Sequence, residues 1–417
     1  MPVFYFFAAL LLVQSLLSLR GGLRYLSHFR RELARTQPAD YAPRATVVVP
    51  CRGLEQNLTD NLAALFRQDY PEYEIVFAAD SAEDPALEVA GDVAARMTPE
   101  CRAVRRVRAV VAGKARGRGQ KVHNLIAAVH ASDSTSELFV FADTDARPHP
   151  LWLRALAAPL ADKRVGAATG YRWFFPGRGG LASHLRSVWN ASIASALGEN
   201  GHRNFCWGGS TAIRRVTFER LDVYGRWRGA LSDDFALTRV LHEAGLPIRF
   251  VPACLTASLE DCGWKSLLEF TTRQLKITRV YAPHLWKIVL FSNLLFVAVF
   301  FGGVLLTAVR AALGLGYAWT LATVCAVFLL GMWKAFFRLK AVALVLEDYH
   351  AELRAGLWAH LTLWPLTAAL FLYNAAAAAL SRRINWRGIQ YELKSPTETV
   401  IIRRADEIAD CGLRIAE

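Results

Sequence analysis

The chain has 417 residues, 53% of them hydrophobic, and a formal net charge of +13. With a mean hydropathy of +0.22 it is too apolar for an ordinary soluble protein and too charged for one wholly embedded in lipid, which leaves a globular domain joined to membrane spans. Seven cysteines without Cys-x-x-Cys pairing or metal-ligand spacing speak against a disulfide scaffold and a zinc site, and read as thiols in a reducing compartment. Pro2 to Leu19 is apolar and almost uncharged. No basic residue precedes it, and Arg20, Arg24, Arg30, Arg31 and Arg35 follow. That flank retains the segment as an anchor rather than a cleaved signal and starts the following residues on the cytoplasmic side.

From Arg44 onward strands and helices alternate. Strands are expected at Ala45–Pro50, Glu74–Asp80, Val104–Val111 and Leu138–Phe141, and helices at Asn57–Arg67, Pro85–Met97 and Lys121–His130. This order predicts an α/β fold with a mainly parallel sheet covered by helices on both faces. It puts Asp80, Asp143 and Asp145 at carboxyl strand ends, where open α/β sheets bind ligands. Neither Gly-x-Gly-x-x-Gly nor a P-loop lysine motif is present. Asp143 and Asp145 can both reach one hard cation, and such oxygen ligands suit Mg²⁺ or Mn²⁺ carrying substrate phosphates. An acidic strand-to-loop turn is the plainer alternative.

Past Pro148 the pattern is less regular. Tyr171 to Phe175 is aromatic-rich, Ser183–Leu197 reads as a helix and Trp207–Thr211 as a tight turn. Ser232 is a natural N-cap for a helix running to Ala244, whose positive end favours Asp233 and Asp234. Trp264–Tyr281 is amphipathic, suited either to the membrane interface or to packing on the domain. Three apolar stretches follow, at Ile288–Val309, Tyr317–Phe337 and Leu357–Leu380, each long enough to span. Three spans after a cytoplasmic domain would place the basic segment Ser381–Arg387 outside, against the positive-inside rule, unless the Pro365-containing stretch is broken or re-entrant. The expected organisation is an anchor at 1–20, the α/β domain at 44–260, an amphipathic interfacial helix at 261–284, a transmembrane region at 285–380 and a cytoplasmic tail at 381–417.

Several segments in order resemble a known family. They are Val47–Cys51, Leu65–Glu74, Ala79–Ala86, the Lys-x-x-Asn-Leu element at Lys121–Leu125, Asp143-Thr144-Asp145, Ser232-Asp233-Asp234-Phe235, Arg273–Ile277 and Ile384–Tyr391. Together they resemble a membrane-bound family 2 glycosyltransferase with a GT-A fold, of the ceramide glucosyltransferase-like branch. The likeness runs over nearly the whole chain. Two departures stand out: both Asp143 and Asp145 are present where that branch generally keeps one, and Lys276-Ile277 replaces an Arg-Trp pair. The second departure argues against processive polymer synthesis.

The resemblance implies sugar transfer from a UDP-sugar, glucose or a related hexose, to a membrane lipid, with inversion to a β-glycoside. The lipid would be ceramide, diacylglycerol, a hopanoid or a polyprenyl phosphate. It implies Asp80, Lys121, Asn124, Asp143, Arg273 and Lys276 at the nucleotide-sugar, and Asp143 and Asp145 at Mg²⁺ or Mn²⁺. Attack by a hydroxyl requires a positioned carboxylate, for which Asp234 is the candidate base with Asp233 beside it. The loop Gly113–Gly119, rich in arginine and glycine, would close over a diphosphate, meet anionic headgroups or stay solvated. The charge also raises a nucleic-acid-binding reading, but no nucleic-acid module is present and membrane flanks account for much of the charge. The expected place is a bacterial inner membrane, crossed several times.

Overall fold

The run Ala45–Pro50 (β1) buries Val47, Val48 and Val49 completely, and Pro50, which cannot donate to a ladder, closes it. In the computed structural model, which describes residues 1–35 and 41–405, β1 lies inside a seven-stranded sheet. The other strands are β2 (Tyr73–Ala79), β3 (Val104–Val111), β4 (Leu138–Ala142), β5 (Ala167–Phe175), β6 (Ser210–Arg214) and β7 (Ile248–Leu259), in the order β3-β2-β1-β4-β6-β5-β7. β1 pairs in parallel with β2 and β4, and β2 with β3, whereas β6 is antiparallel to β4 and β5. Val47 stands opposite both Ile75 and Val140. The three central strands therefore end at one level, and the residues that follow them emerge side by side. Arg105 and Arg106 on the edge strand β3 are exposed, which discourages pairing with another chain.

The helices expected on this sheet are present. Pro85–Met97 starts with Pro at its first position and with the Asp84 carboxylate accepting from Ala86 N. Gln120–His130 and Asp233–Glu243 follow the expected boundaries within a residue. By contact clustering the sheet belongs to a unit made of Glu32–Trp173, Leu197–Leu259 and Arg382 onward, and a second unit holds Met1–Arg31, Phe174–Ala196 and Glu260–Ser381. The stretch 44–260 is thus interrupted: helix Leu181–Ala194 clusters with the second unit.

The segment expected to be a tail is instead folded. β8 (Arg383–Trp386), β9 (Ile389–Ser395) and β10 (Glu398–Arg404) form an antiparallel sheet within the first unit. Ile389, Tyr391 and Leu393 alternate along β9 and are buried; this period of two is the strand signal. The many basic residues around it hid that signal. Residues 406–417 of the expected tail lie outside the described residues.

In the second unit, three helices are long and apolar enough to cross a membrane: Pro2–Ala34, Pro283–Ala312 and Ala318–Val342. Ala8 and Leu11 of the first pack on Phe296, Val299, Phe300 and Val327. The third expected span is broken into His350–Thr362 and Trp364–Leu380, with Pro365 in the first turn of the latter. Trp364 fills the notch at Gly331 and meets Phe296, Phe300 and Phe328. The 17 residues of Trp364–Leu380 reach about 26 Å at 1.5 Å per residue, short of a hydrocarbon core of about 30 Å. Arg382–Arg404 shares a unit with β1 to β7, and between the two parts lie two helices, rather than the three expected, that are long and apolar enough to cross a membrane. The amphipathic helix Trp264–Tyr281 buries Leu267 against Ala182 and Leu185, and Leu275 against Trp189 and Ala378. Its apolar face is therefore largely covered by protein.

If the C-terminal sheet is an integral part of the fold, Ile389→Ala should lower stability by about 2–5 kcal/mol, as for a filled core position. The same change in a solvated tail would stay within about 0.5 kcal/mol. Thermal unfolding of the purified full-length protein distinguishes the two.

Candidate active site

Lys121 stands in the first turn of its helix, and its Nζ lies 2.7 Å from Asp143 Oδ1 and 3.4 Å from Asp233 Oδ1. An ammonium at a helix N-terminus opposes the helix dipole, so the two carboxylates supply the compensating charge. They arrive from separate elements, Asp143 from the end of β4 and Asp233 from the start of Asp233–Glu243. Burial works to lower the Lys121 pKa, but Asp143, Asp233 and Asp234 outweigh it and hold the ammonium charged. Burial pushes the Asp233 carboxyl up to about 7 against the pull of Lys121, and the charges of Asp234 and Asp143 add to the rise. A Cβ on Gly208 would lie 2.3 Å from Asp233 Oδ2 and 2.8 Å from Lys121 Nζ. A side chain at position 208 would have to displace the ends of Asp233 and Lys121.

Asp145 Oδ2 accepts from Arg172 at 2.6 Å, and Ser258 Oγ donates to the Asp145 carbonyl at 3.0 Å. Arg172, on β5, lies 5.5 Å from the centroid of the Trp207 ring. Asp145 Oδ1 is buried without a hydrogen-bond partner among the described residues. A buried carboxylate oxygen left unpaired is costly, and a divalent cation would satisfy it. Among the described residues no three His, Cys, Asp or Glu side chains gather as a complete metal cage. Asp143 and Asp145 therefore fit a cation that takes its remaining ligands from phosphate and water, as Mg²⁺ sites do.

Asp80, following β2, accepts from the Arg52 guanidinium. Asn124 is placed differently from the expectation of a nucleotide contact. It is 1% exposed, its amide donates to the Cys51 and Ala78 carbonyls, and its Oδ1 accepts from Gln120 Nε2. Both donors are spent on the ends of β1 and β2, so Asn124 shapes the crevice floor rather than reaching a ligand. Ser232 caps its helix as expected, accepting from Phe235 N at 3.3 Å. Asp234 is half-buried; its Oδ1 accepts from Phe235 N at 2.7 Å and from Ser232 Oγ. Asp233, by contrast, is turned into the Lys121 cluster. The structure thus gathers Lys121, Asp143 and Asp233, with Asp145, Asp80 and Asp234 on neighbouring strand and helix ends.

Arg273 and Lys276 lie on Trp264–Tyr281 in the second unit. Arg273 sits 5.5 Å from the Phe270 ring centroid, and burial lowers the Lys276 pKa. The Arg/Gly loop is anchored at its end by Gly119 N donating to Ala230 O at 2.9 Å. Four contributors escaped the sequence reading: Arg52, Arg172, Gly208 and Gln120. Arg172 lay within the aromatic run and Gly208 within the expected turn, but only the antiparallel return of β5 and β6 beside β4 brings them to the carboxylates.

Fold and site together define an α/β domain with carboxylates gathered at its strand ends, in a chain that also carries helices long and apolar enough to cross a membrane. The chain belongs to glycosyl transferase family 21, whose family model matches residues 5–399. It is 23% identical over 267 residues to a probable glycosyltransferase, YdaM, of Bacillus subtilis (strain 168), an alignment covering 61% of this chain and 60% of that relative's length. Among solved structures it is similar to a mannosyltransferase of Pyrobaculum calidifontis in complex with GDP-Man and Mn²⁺, at 20% identity and a TM-score of 0.46, over 90% of this chain and 99% of that one. It is also similar to glucosyl-3-phosphoglycerate synthase of Mycobacterium tuberculosis with Mn²⁺ and UDP-glucose, at 16% identity and a TM-score of 0.35, over 58% and 80%.

Two outcomes test this geometry. Gly208→Ala should displace the ends of Lys121 and Asp233 and reduce turnover at least 100-fold, measured as release of the nucleotide product. Asp233 binds its proton more tightly in the folded chain than in the unfolded one, so its contribution to stability is complete below about pH 4 and is lost as pH rises to about 7. In metal-free protein, Asp233→Asn should therefore flatten the dependence of the melting temperature on pH between 5 and 7.

Proposed function

We propose that this chain moves a hexose from a UDP-sugar to a hydroxyl of a membrane lipid, inverting the anomeric centre to give a β-linked glycolipid. The observation that carries the reading is the pairing of Lys121 with Asp143 and Asp233, with Asp80, Asp145 and Asp234 on neighbouring strand and helix ends, in a family 21 chain. Such a crevice is suited to a diphosphate that must leave with negative charge. A divalent cation held by Asp143 and Asp145 would neutralise that charge when bound. Lys121 holds Asp143 in place, and Arg172 holds Asp145. Asp80 with Arg52 offers a polar edge for the ribose or base. Asp234 takes the proton from the acceptor hydroxyl as its oxygen bonds to the anomeric carbon and the bond from that carbon to the UDP oxygen breaks. Arg273 and Lys276 are proposed as further diphosphate-binding residues.

The acceptor is a lipid because the same chain carries three helices able to cross a membrane. Ceramide, diacylglycerol, a hopanoid or a polyprenyl phosphate each presents the required hydroxyl or phosphate oxygen. A processive polysaccharide synthase fits less well, since two complete spans after the sheet unit offer little material for a secretion channel. The arginines after the N-terminal apolar run favour a cytoplasmic side for the sheet unit, and the proposed setting is a bacterial inner membrane.

Purified protein in lipid nanodiscs, given Mg²⁺ or Mn²⁺, UDP-glucose, UDP-galactose or UDP-N-acetylglucosamine and a mixed lipid extract, should yield a metal-dependent glycolipid by mass spectrometry. Asp234→Asn should abolish that product while UDP binding stays within about threefold; full transfer by the variant would remove Asp234 from the role of base. For topology, in a background with Cys101, Cys262, Cys325 and Cys411 replaced by alanine, Glu398→Cys should react with an impermeant maleimide only from the cytoplasmic side and Gly314→Cys only from the opposite side.

A further inference from the structure

The turn joining β8 to β9 reaches the loop that follows β1. Arg387 and Gly388 both have positive φ, at 49° and 75°, the conformation of a two-residue type I′ hairpin turn. Gly388 adopts it freely, but an arginine is disfavoured there, where asparagine is usual. What Arg387 does in that position is specific. Its guanidinium donates to the Arg52 carbonyl and pairs with Glu55, while Arg52 Nε donates back to the Arg387 carbonyl at 3.1 Å. The other end of Arg52 is committed to Asp80. A continuous chain of contacts therefore runs from the C-terminal hairpin to the carboxylate at the end of β2.

The same sheet grips the crevice at a second point. The Tyr391 hydroxyl accepts from Gln120 N at 3.2 Å, and Arg404, 3% exposed, donates to Gln120 Oε1 at 3.2 Å and to the Ala115 carbonyl at 2.9 Å. Gln120 directly precedes Lys121. The C-terminal sheet thus touches the loop after β1 and the start of the Lys121 helix, which flank the crevice on the Asp80 side. A planar guanidinium fixed at both ends is suited to a nucleoside: it can donate to ribose or base oxygens and stack on a ring.

We propose that the C-terminal hairpin completes the nucleoside end of the donor site, with Arg52 and Asp80 facing ribose and base and Arg387 as the positioning residue that fixes Arg52. This rests on the reading above, that the crevice takes a nucleoside diphosphate sugar. The segment that follows the membrane helices is then a working part of the donor site.

The test is calorimetric titration of full-length protein with uridine, UDP and pyrophosphate at a fixed Mg²⁺ concentration. Arg387→Met should weaken uridine and UDP at least tenfold and leave pyrophosphate within twofold. Arg387→Lys, which keeps the charge for Glu55 but not the fork, should recover only part of the loss. Glu55→Gln releases Arg387 without altering the strained turn and should give the same selective loss if Arg387→Met does not fold. Equal losses for all three ligands would mark a general structural effect and overturn the inference, as would unchanged uridine and UDP affinity. Wild-type protein that binds pyrophosphate but neither uridine nor UDP would instead sink the donor reading itself.

Discussion

The arrangement depends on one largely enclosed charge, the Lys121 ammonium. It sits in the first turn of a helix, at its positive end, and Asp143 and Asp233 flank it to compensate its charge. The requirement acts in both directions. Asp143 and Asp233 come from a strand end and a helix start far apart in sequence, and without the lysine their charges would repel in a desolvated space. Pairing them fixes the spacing between β4 and the Asp233–Glu243 helix. Gly208 is the steric counterpart, since a side chain there would wedge the cluster apart. Asp145, with one buried unpaired oxygen, and the half-buried Asp234 lie on neighbouring strand and helix ends.

A second constraint comes from chain order. The chain returns to build a sheet in its first unit after two helices long and apolar enough to cross a membrane. The sequence offers three apolar stretches in that interval, and the last is broken at Trp364-Pro365. The proline ends one helix and starts another, and Trp364 packs among phenylalanines beside Gly331.

The central strands were legible because β-branched runs buried on both faces leave a clear pattern, and Asp80, Asp143 and Asp145 were legible as strand ends because parallel α/β sheets place ligands there. Ser232 as a cap followed from local chemistry alone. What was not legible depended on contacts between distant segments. Asn124 has the residue type of a ligand contact, yet its amide is consumed by two backbone carbonyls that only the finished sheet brings to it. Arg172 and Arg52 became partners of Asp145 and Asp80 through strand order. The C-terminal sheet was missed because the alternation of Ile389, Tyr391 and Leu393 is short and lies among charged residues that suggest a solvated tail.

The most direct test of the account is Lys121→Met in the full-length protein, read by thermal unfolding and by UDP binding with Mg²⁺. The side chain keeps its bulk and loses its charge, leaving the half-buried Asp143 and the buried Asp233 without their ammonium partner. Stripping one partner from a buried ion cluster should cost about 3–5 kcal/mol, with UDP affinity falling at least tenfold. A variant that melts with the wild type and binds UDP equally well would contradict the claim that this cluster organises the site.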